Sequence, residues 1–276
     1  PFMPCGAKLP VIALFAGVFF PGASWVGPLM YFVGIALIFF GALLINKITG
    51  HKARKSFFII ELPEYKAPSV KRACMDMLSR GWAYIVKAGT IILLCNAIVF
   101  IMQSFNWNFQ LVEEGMEHTS ILASIAGPFA YLLVPIVGVA SWQLAAAAVT
   151  GFIAKENVVG TFGVLYKYGG EVAENGEEIW ANLQADFTAL SAYSFLVFNL
   201  LCAPCFAAIG AIKREMNNRG WTWFAIAYEC GFAYVAALFV YQIGGLFTGE
   251  VHFNVFTIVA FALLAGVIYL LFRPYK

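Results

Sequence analysis

Charge is what this sequence has least of. Asp, Glu, Lys and Arg make up 12% of its 276 residues, against 62% hydrophobic residues, which leaves far too little polar surface to cover a soluble globule. The chain therefore reads as an integral membrane protein. A second absence is cysteine in polar loops: the six cysteines fall mostly in apolar segments, which argues against an extracellular disulfide framework and for reduced thiols. A third is any loop able to cradle a nucleotide. Gly50-His51-Lys52-Ala53-Arg54-Lys55-Ser56 carries Arg54 where a phosphate loop needs its second glycine, with no preceding strand or Asp partner. A charged leader is missing as well, since the sequence opens apolar at Pro1-Phe2-Met3-Pro4, and it reads as a fragment entered partway.

What is present is a series of long uncharged runs. They lie at Trp25–Ile45, Ala88–Val112, Thr119–Ala154, Phe187–Ile212 and Cys230–Gly249, with Val251–Phe272 interrupted only by His252. Thr119–Ala154 is too long for one crossing, and Pro135 with Ser141 offers a place to turn. The expected fold is all-α: a polytopic transmembrane helix bundle with broken or re-entrant helices, about seven full spans plus one partial. The spans are drawn at Lys8–Phe20 (the partial one), Trp25–Asn46, Trp82–Gln103, Thr119–Val139, Trp142–Tyr166, Phe187–Ile212, Trp221–Ile243 and Phe253–Phe272. Between the second and third, Thr49–Ala67 reads as a basic linker and Pro68 to about Gly81 as an amphipathic interfacial helix.

The net charge of +2 says little, but its placement is informative. Of 17 Lys and Arg, eight lie between Lys47 and Arg80, three at Lys213, Arg214 and Arg219, and two at Arg273 and Lys276. The positive-inside rule makes these segments, including the carboxyl terminus, cytoplasmic. The acidic stretches around Glu113, Glu174 and Glu250 then face outward.

Several polar residues lie deep in apolar sequence. Leu201-Cys202-Ala203-Pro204-Cys205 sits inside the run 187–212, and at about 1.5 Å per residue Cys202 is roughly 16 Å from Lys213, near mid-bilayer. Pro204 cannot donate to the carbonyl four residues back, so Leu200 is left with a free acceptor unless another group fills it. Thiols and freed carbonyls suit a borderline-soft divalent ion such as ferrous iron. The same residues also read as small apolar contacts around a harmless kink. Cys202 and Cys205 would share a face only if the helix persists. Lys155 and Glu156, about thirteen residues past Trp142, are costly at that depth, at roughly 2.5–3.5 kcal/mol each, and read either as a polar lining or gate or as a buried pair fixing the packing. Glu229 lies about 15 Å beyond Arg219, level with Cys202, and could bind a cation, relay a proton, pair with Lys155 or pack in protonated form. Lys8 and Lys87 read as snorkelling bases. His118 beside Glu113, Glu114 and Glu117 reads as a solvated loop or as a site that collects or releases metal.

Pro4-Cys5-Gly6-Ala7-Lys8-Leu9-Pro10 and Cys202-Ala203-Pro204-Cys205 are alike in kind, as the broken helices in the two halves of a transporter are. Together with Glu61-Leu62-Pro63, Lys87-Ala88-Gly89-Thr90, Ala154-Lys155-Glu156 and Tyr241-Gln242-Ile243-Gly244, they make the chain resemble the membrane domain of the ferrous iron transport protein B family. The resemblance covers essentially the whole chain. It implies a bacterial inner-membrane importer in which Fe(II) is the transported ion and no cofactor is held permanently. An amino-terminal GTP-binding domain or partner chain would supply nucleotide hydrolysis, so the chain itself is not an enzyme. It further implies that Cys5, Cys202 and Cys205 line the metal pathway. Glu229 joins them on depth alone, with Lys155, Glu156 and Pro204 as gating or lining residues.

On this reading residues 1–48 are the end of a first gate region and the following span, 49–81 the cytoplasmic linker and amphipathic helix, and 82–276 a second gate region with the C-terminal spans. Expected partners are membrane lipid, ferrous iron and a further copy of the chain, with no nucleic acid. Two other functions stay open: a gate-type carrier of an organic, nucleoside-like solute, and a membrane thiol oxidoreductase using Cys202 and Cys205. The orientation is testable. A membrane-impermeant thiol reagent applied to intact cells should label a cysteine placed at Glu174 and spare one placed at Lys52; the reverse pattern overturns the topology.

Overall fold

Caps and breakers set where the helices of this chain stop. The computed structural model describes residues 6–20, 22, 25–49, 69–112, 116–155, 157–166 and 180–272; the expected linker with Glu61-Leu62-Pro63 and the acidic stretch 167–179 lie outside them. Among the described residues the protein is all-helical, apart from a single bridge between Phe105 and Leu111. After a 3₁₀ turn at Gly6–Lys8 come α1 (Leu9–Phe19), α2 (Val26–Thr49) and α3 (Val70–Ser104). A second 3₁₀ turn at Glu117–Thr119 leads into α4 (Ile121–Val137), α5 (Trp142–Ile153) and α6 (Asn157–Leu165). The chain closes with α7 (Trp180–Asp186), α8 (Ala189–Leu201), α9 (Phe206–Met216), α10 (Arg219–Thr248) and α11 (Val255–Phe272).

The starts are chemically marked. Ser120, Ser141 and Thr188 each accept a hydrogen bond from the backbone N–H three residues on, capping α4, α5 and α8. Asn218 does the same for α10 through the N–H groups of Gly220 and Trp221, at 2.9 and 3.3 Å. Pro10 lies in the first turn of α1, where its missing N–H costs nothing.

Helix α10 is the packing centre, lying against α4, α8, α9 and α11, while α1 covers α6, α7 and α8. Phe15 of α1, Phe162 of α6 and Phe195 of α8 meet with ring centroids 5.5 to 6.4 Å apart, clamping three short helices together. The outer helices face the other way: Phe32 and Phe39 of α2, Leu93 and Phe100 of α3 and Phe272 of α11 are exposed. So much exposed apolar surface is what lipid would cover.

Two of the expected elements change. The interfacial helix and the Trp82–Gln103 span are one continuous helix, α3, because nothing at Gly81 breaks the hydrogen-bond ladder. The run expected to cross as Trp142–Tyr166 is interrupted between Ile153 and Asn157. Among the described residues three helices are long and apolar enough to cross, at Val26–Ile48, Arg219–Thr248 and Val255–Phe272; there are four if α4 and α5, bent by 100°, count as one. Seven uninterrupted spans are not seen, since several apolar runs contain breaks that hydropathy alone cannot register.

The ends of α2, α10 and α11 converge. Lys47 donates to the carbonyl of Leu271, and Ile48 lines one groove with Asn218, Trp221 and Phe224. The ends of α2 and α11 and the start of α10 therefore meet at one end of the bundle. At the α4–α5 bend Gly138 has φ +82°, and a Cβ there would lie 1.7 Å from the Tyr241 hydroxyl. Left-handed backbone costs a non-glycine residue about 1–2 kcal/mol even without that clash, so Gly138→Ala should lower the midpoint of thermal unfolding in detergent by at least that equivalent. An unchanged midpoint would show that the bend tolerates a side chain.

Candidate functional site

The run 187–212 is a helix only in pieces. α8 ends at Leu201, Cys202 to Cys205 are non-helical, and α9 restarts at Phe206 with Cys205 as its N-cap residue. Pro204 accounts for the stop: it removes a donor and pushes the residue before it out of helical backbone. A helix that ends inside the protein leaves carbonyls facing apolar surroundings and a partial negative charge at its end.

Two buried ammonium groups fill those carbonyls. Lys8 Nζ donates to Leu200 O at 2.6 Å, the acceptor that Pro204 was expected to leave free. Lys155 Nζ donates to Asn199 O at 2.9 Å and to Cys202 O at 3.3 Å. Lys8 is 4% exposed and Lys155 3%, so Lys8 does not snorkel to the interface as its long stem suggested; it is drawn inward by the helix end. Lys155 meets a helix terminus, one partner that the sequence reading did not weigh.

The elements delivering these lysines are themselves interrupted. Lys8 closes the 3₁₀ turn ahead of α1, and Lys155 lies in the break between α5 and α6. That second break is braced from both sides. Thr161 of α6 donates to Thr150 of α5 at 3.1 Å, Gln103 of α3 donates to Thr161 at 3.0 Å, and Asn157 donates to Asn96 at 3.0 Å. Gly151 lets α6 fold back closely, since a Cβ there would come 2.7 Å from Val158.

The thiols rearrange relative to expectation. Cys202 and Cys205 stand at the two ends of the non-helical break, next to different helices, and so do not share a helical face. The Cys202 sulfur lies 4.0 Å from that of Cys230 on α10, a residue the sequence reading passed over although it adjoins Glu229 at the same depth. Glu229 is 5% exposed and its Oε2 is the one buried side-chain nitrogen or oxygen without a hydrogen-bond partner among the described residues. Lys8 and Lys155 both lie within electrostatic reach of it. Cys74 is exposed and Cys95 half-buried on α3. Cys5 and Glu156 fall outside the described residues, as do Glu113 and Glu114. No three His, Cys, Asp or Glu side chains come together as a ready metal cage among the described residues. The site is a helix break with thiols and carbonyls, whose positive groups are engaged by a helix terminus.

Removing a lysine should expose what it covers. Lys155→Met leaves two buried carbonyls without their donor, at on the order of 1–3 kcal/mol each, so the protein should unfold at distinctly lower temperature. Lys155→Arg should recover part of the loss. Equal melting of wild type and Lys155→Met would mean that the ammonium does not hold the break.

Comparison with known proteins gives a consistent assignment. Residues 28–80 match the family model described as the ferrous iron transport protein B C terminus, and residues 85–219 match the nucleoside-recognition gate model. The chain is 34% identical over 248 residues to an Fe(2+) transporter FeoB of Staphylococcus aureus, covering 90% of this chain and 36% of that protein. It is 36% identical over 254 residues to the Fe(2+) transporter FeoB of Methanocaldococcus jannaschii, covering 89% and 36%. It is 30% identical over 286 residues to a Porphyromonas gingivalis Fe(2+) transport protein A/Fe(2+) transporter FeoB fusion protein, covering 90% and 34%. The chain thus spans about a third of the length of these relatives. No solved structure matches. With one family model on α2 and the start of α3, the other running from α3 to the start of α10, and relatives aligned along nine-tenths of the chain, this polypeptide carries the C-terminal and gate segments found in the ferrous iron transport protein B family.

Proposed function

We propose that the chain is the membrane-permeation part of a ferrous iron importer of the bacterial inner membrane, with the break between α8 and α9 as the place where the ion loses its water. The observation that carries this reading is the interruption of a buried helix at Cys202-Ala203-Pro204-Cys205, with a thiol at each end. Discontinuous helices expose backbone dipoles that can replace a hydration shell. Thiols prefer ferrous iron to the harder magnesium or calcium ions. Because Lys8 and Lys155 occupy the α8 carbonyls, sulfur and carboxylate groups are left to meet the cation. Cys5 joins the pathway as a further thiol. Lys155, Glu156 and Pro204 gate it, since movement of Lys155 off the helix end frees two acceptors. GTP hydrolysis is supplied from outside these residues, by a GTP-binding domain acting on them.

An organic-solute reading has one point in its favour, the nucleoside-recognition description of the gate model. Against it, the centre of the break presents sulfur and carbonyl groups instead of the amides and aromatics that an organic solute needs.

In a full-length context, replacing both Cys202 and Cys205 by Ser should cut ferrous uptake at least tenfold while membrane insertion and GTP turnover stay near wild type. Serine keeps the size but offers a protonated hard donor. Since a thiol must lose its proton to bind metal, uptake should also weaken as the outside pH falls. Unchanged uptake in the double variant would sink the thiol pathway, and nucleoside uptake competed by unlabelled nucleoside would favour the organic carrier.

A further inference from the structure

Cys230 has no place in the pathway described so far, yet its sulfur is in contact with that of Cys202. The two sulfurs, 28 residues apart in sequence, lie 4.0 Å from each other across the α8–α10 contact. Three further observations bear on them. The Lys155 ammonium, which donates to the Cys202 carbonyl at 3.3 Å, lies beside the pair. Glu229, the residue before Cys230, keeps a buried oxygen without a hydrogen-bond partner among the described residues. Cys205, by contrast, stands at the N-cap position of a separate helix, in extended backbone.

From this geometry we infer that Cys202 and Cys230, and not Cys202 and Cys205, form the two-sulfur subsite of the pathway, which takes a borderline-soft divalent cation with Glu229 as the neighbouring negative charge. The inference rests on the importer reading above. Two thiolates bound to one ion at about 2.3 Å, with an angle between about 110° and 120°, hold their sulfurs about 3.8–4.0 Å apart. The pair therefore needs little rearrangement to bridge a metal. The step is an exchange without redox change: two S–H bonds break, two metal–sulfur bonds form, and two protons leave. Two thiolates and the Glu229 carboxylate oppose the charges of Lys8 and Lys155, leaving a net negative centre for a dication. With no third His, Cys, Asp or Glu joining the sulfurs among the described residues, the ion is held by few ligands, as an ion in transit must be if it is to leave.

The test uses cobalt(II) as the probe on the full chain in detergent under anaerobic, reducing conditions, read by the near-ultraviolet thiolate-to-cobalt charge-transfer band. The wild type should show the band, Cys202→Ser and Cys230→Ser should each lower it about twofold or more, and Cys74→Ser, on the exposed part of α3, should retain it. A band kept in Cys230→Ser but lost in Cys205→Ser overturns the pairing and leaves the importer reading standing. No thiolate band in the wild type at any cobalt concentration overturns both. A second measurement needs no variant. Diamide, which is reduced to the hydrazine as it oxidises two neighbouring thiols to a disulfide, should link the peptides carrying Cys202 and Cys230 in mass spectra of the wild-type chain. A Cys202–Cys205 link in their place contradicts the inference.

Discussion

A helix that stops inside an apolar protein must have its last carbonyls filled, and the end of α8 is where this fold meets that requirement. Lys8 and Lys155 place ammonium groups on Leu200, Asn199 and Cys202. Each lysine arrives from another interruption, one ahead of α1 and one between α5 and α6. Three breaks that would each be unfavourable alone thus satisfy one another, because a buried cation finds the negative end of a helix dipole and that end finds its donors. The Phe15, Phe162 and Phe195 cluster holds the same three helices in register on the apolar side.

The second buried helix end uses neutral groups. At the close of α4, Gln242 donates to Pro135 O at 2.7 Å and Ser191 to Val137 O at 2.6 Å, while Thr257 donates to Gln242 at 3.1 Å. Tyr241 packs over Gly138, so Tyr241-Gln242-Ile243-Gly244 serves to finish α4. The contrast is functional in kind. An amide or hydroxyl cap is a fixed structural contact, whereas an ammonium cap can be exchanged for another cation at the same carbonyls. That difference is why the α8 end, and not the α4 end, is a place to look for an ion.

The sequence reading succeeded where a residue's chemistry acts locally. Pro204 implied a stop and a free Leu200 carbonyl, and both are there, the carbonyl now filled. Lys155 and Glu229 were singled out by depth, and both are buried. It missed where the outcome depends on a distant segment. Lys8 looked like a snorkelling base because nothing near it in sequence names Leu200, 192 residues away. Cys230 carried the same depth signal as Glu229 and could have been found by applying that argument to its neighbour. The pairing of Cys202 with Cys205 assumed a continuous helix, and the proline that drew attention to the motif is what interrupts that helix.

The sequence by itself determined that the chain is a helical membrane protein, that the run 187–212 breaks at Pro204 and that Lys155 and Glu229 lie deep. Those properties follow from hydropathy, proline stereochemistry and the cost of burying charge, all of which act within a few residues. Only the tertiary structure decided which break meets which. The partner of a buried ammonium is chosen by the packing of α1, α5, α6, α8 and α10, and no local pattern encodes a hydrogen bond across the bundle. The same holds for the two sulfurs facing each other between α8 and α10, since which helix packs against the break is set by the bundle and not by the residues on either side of it.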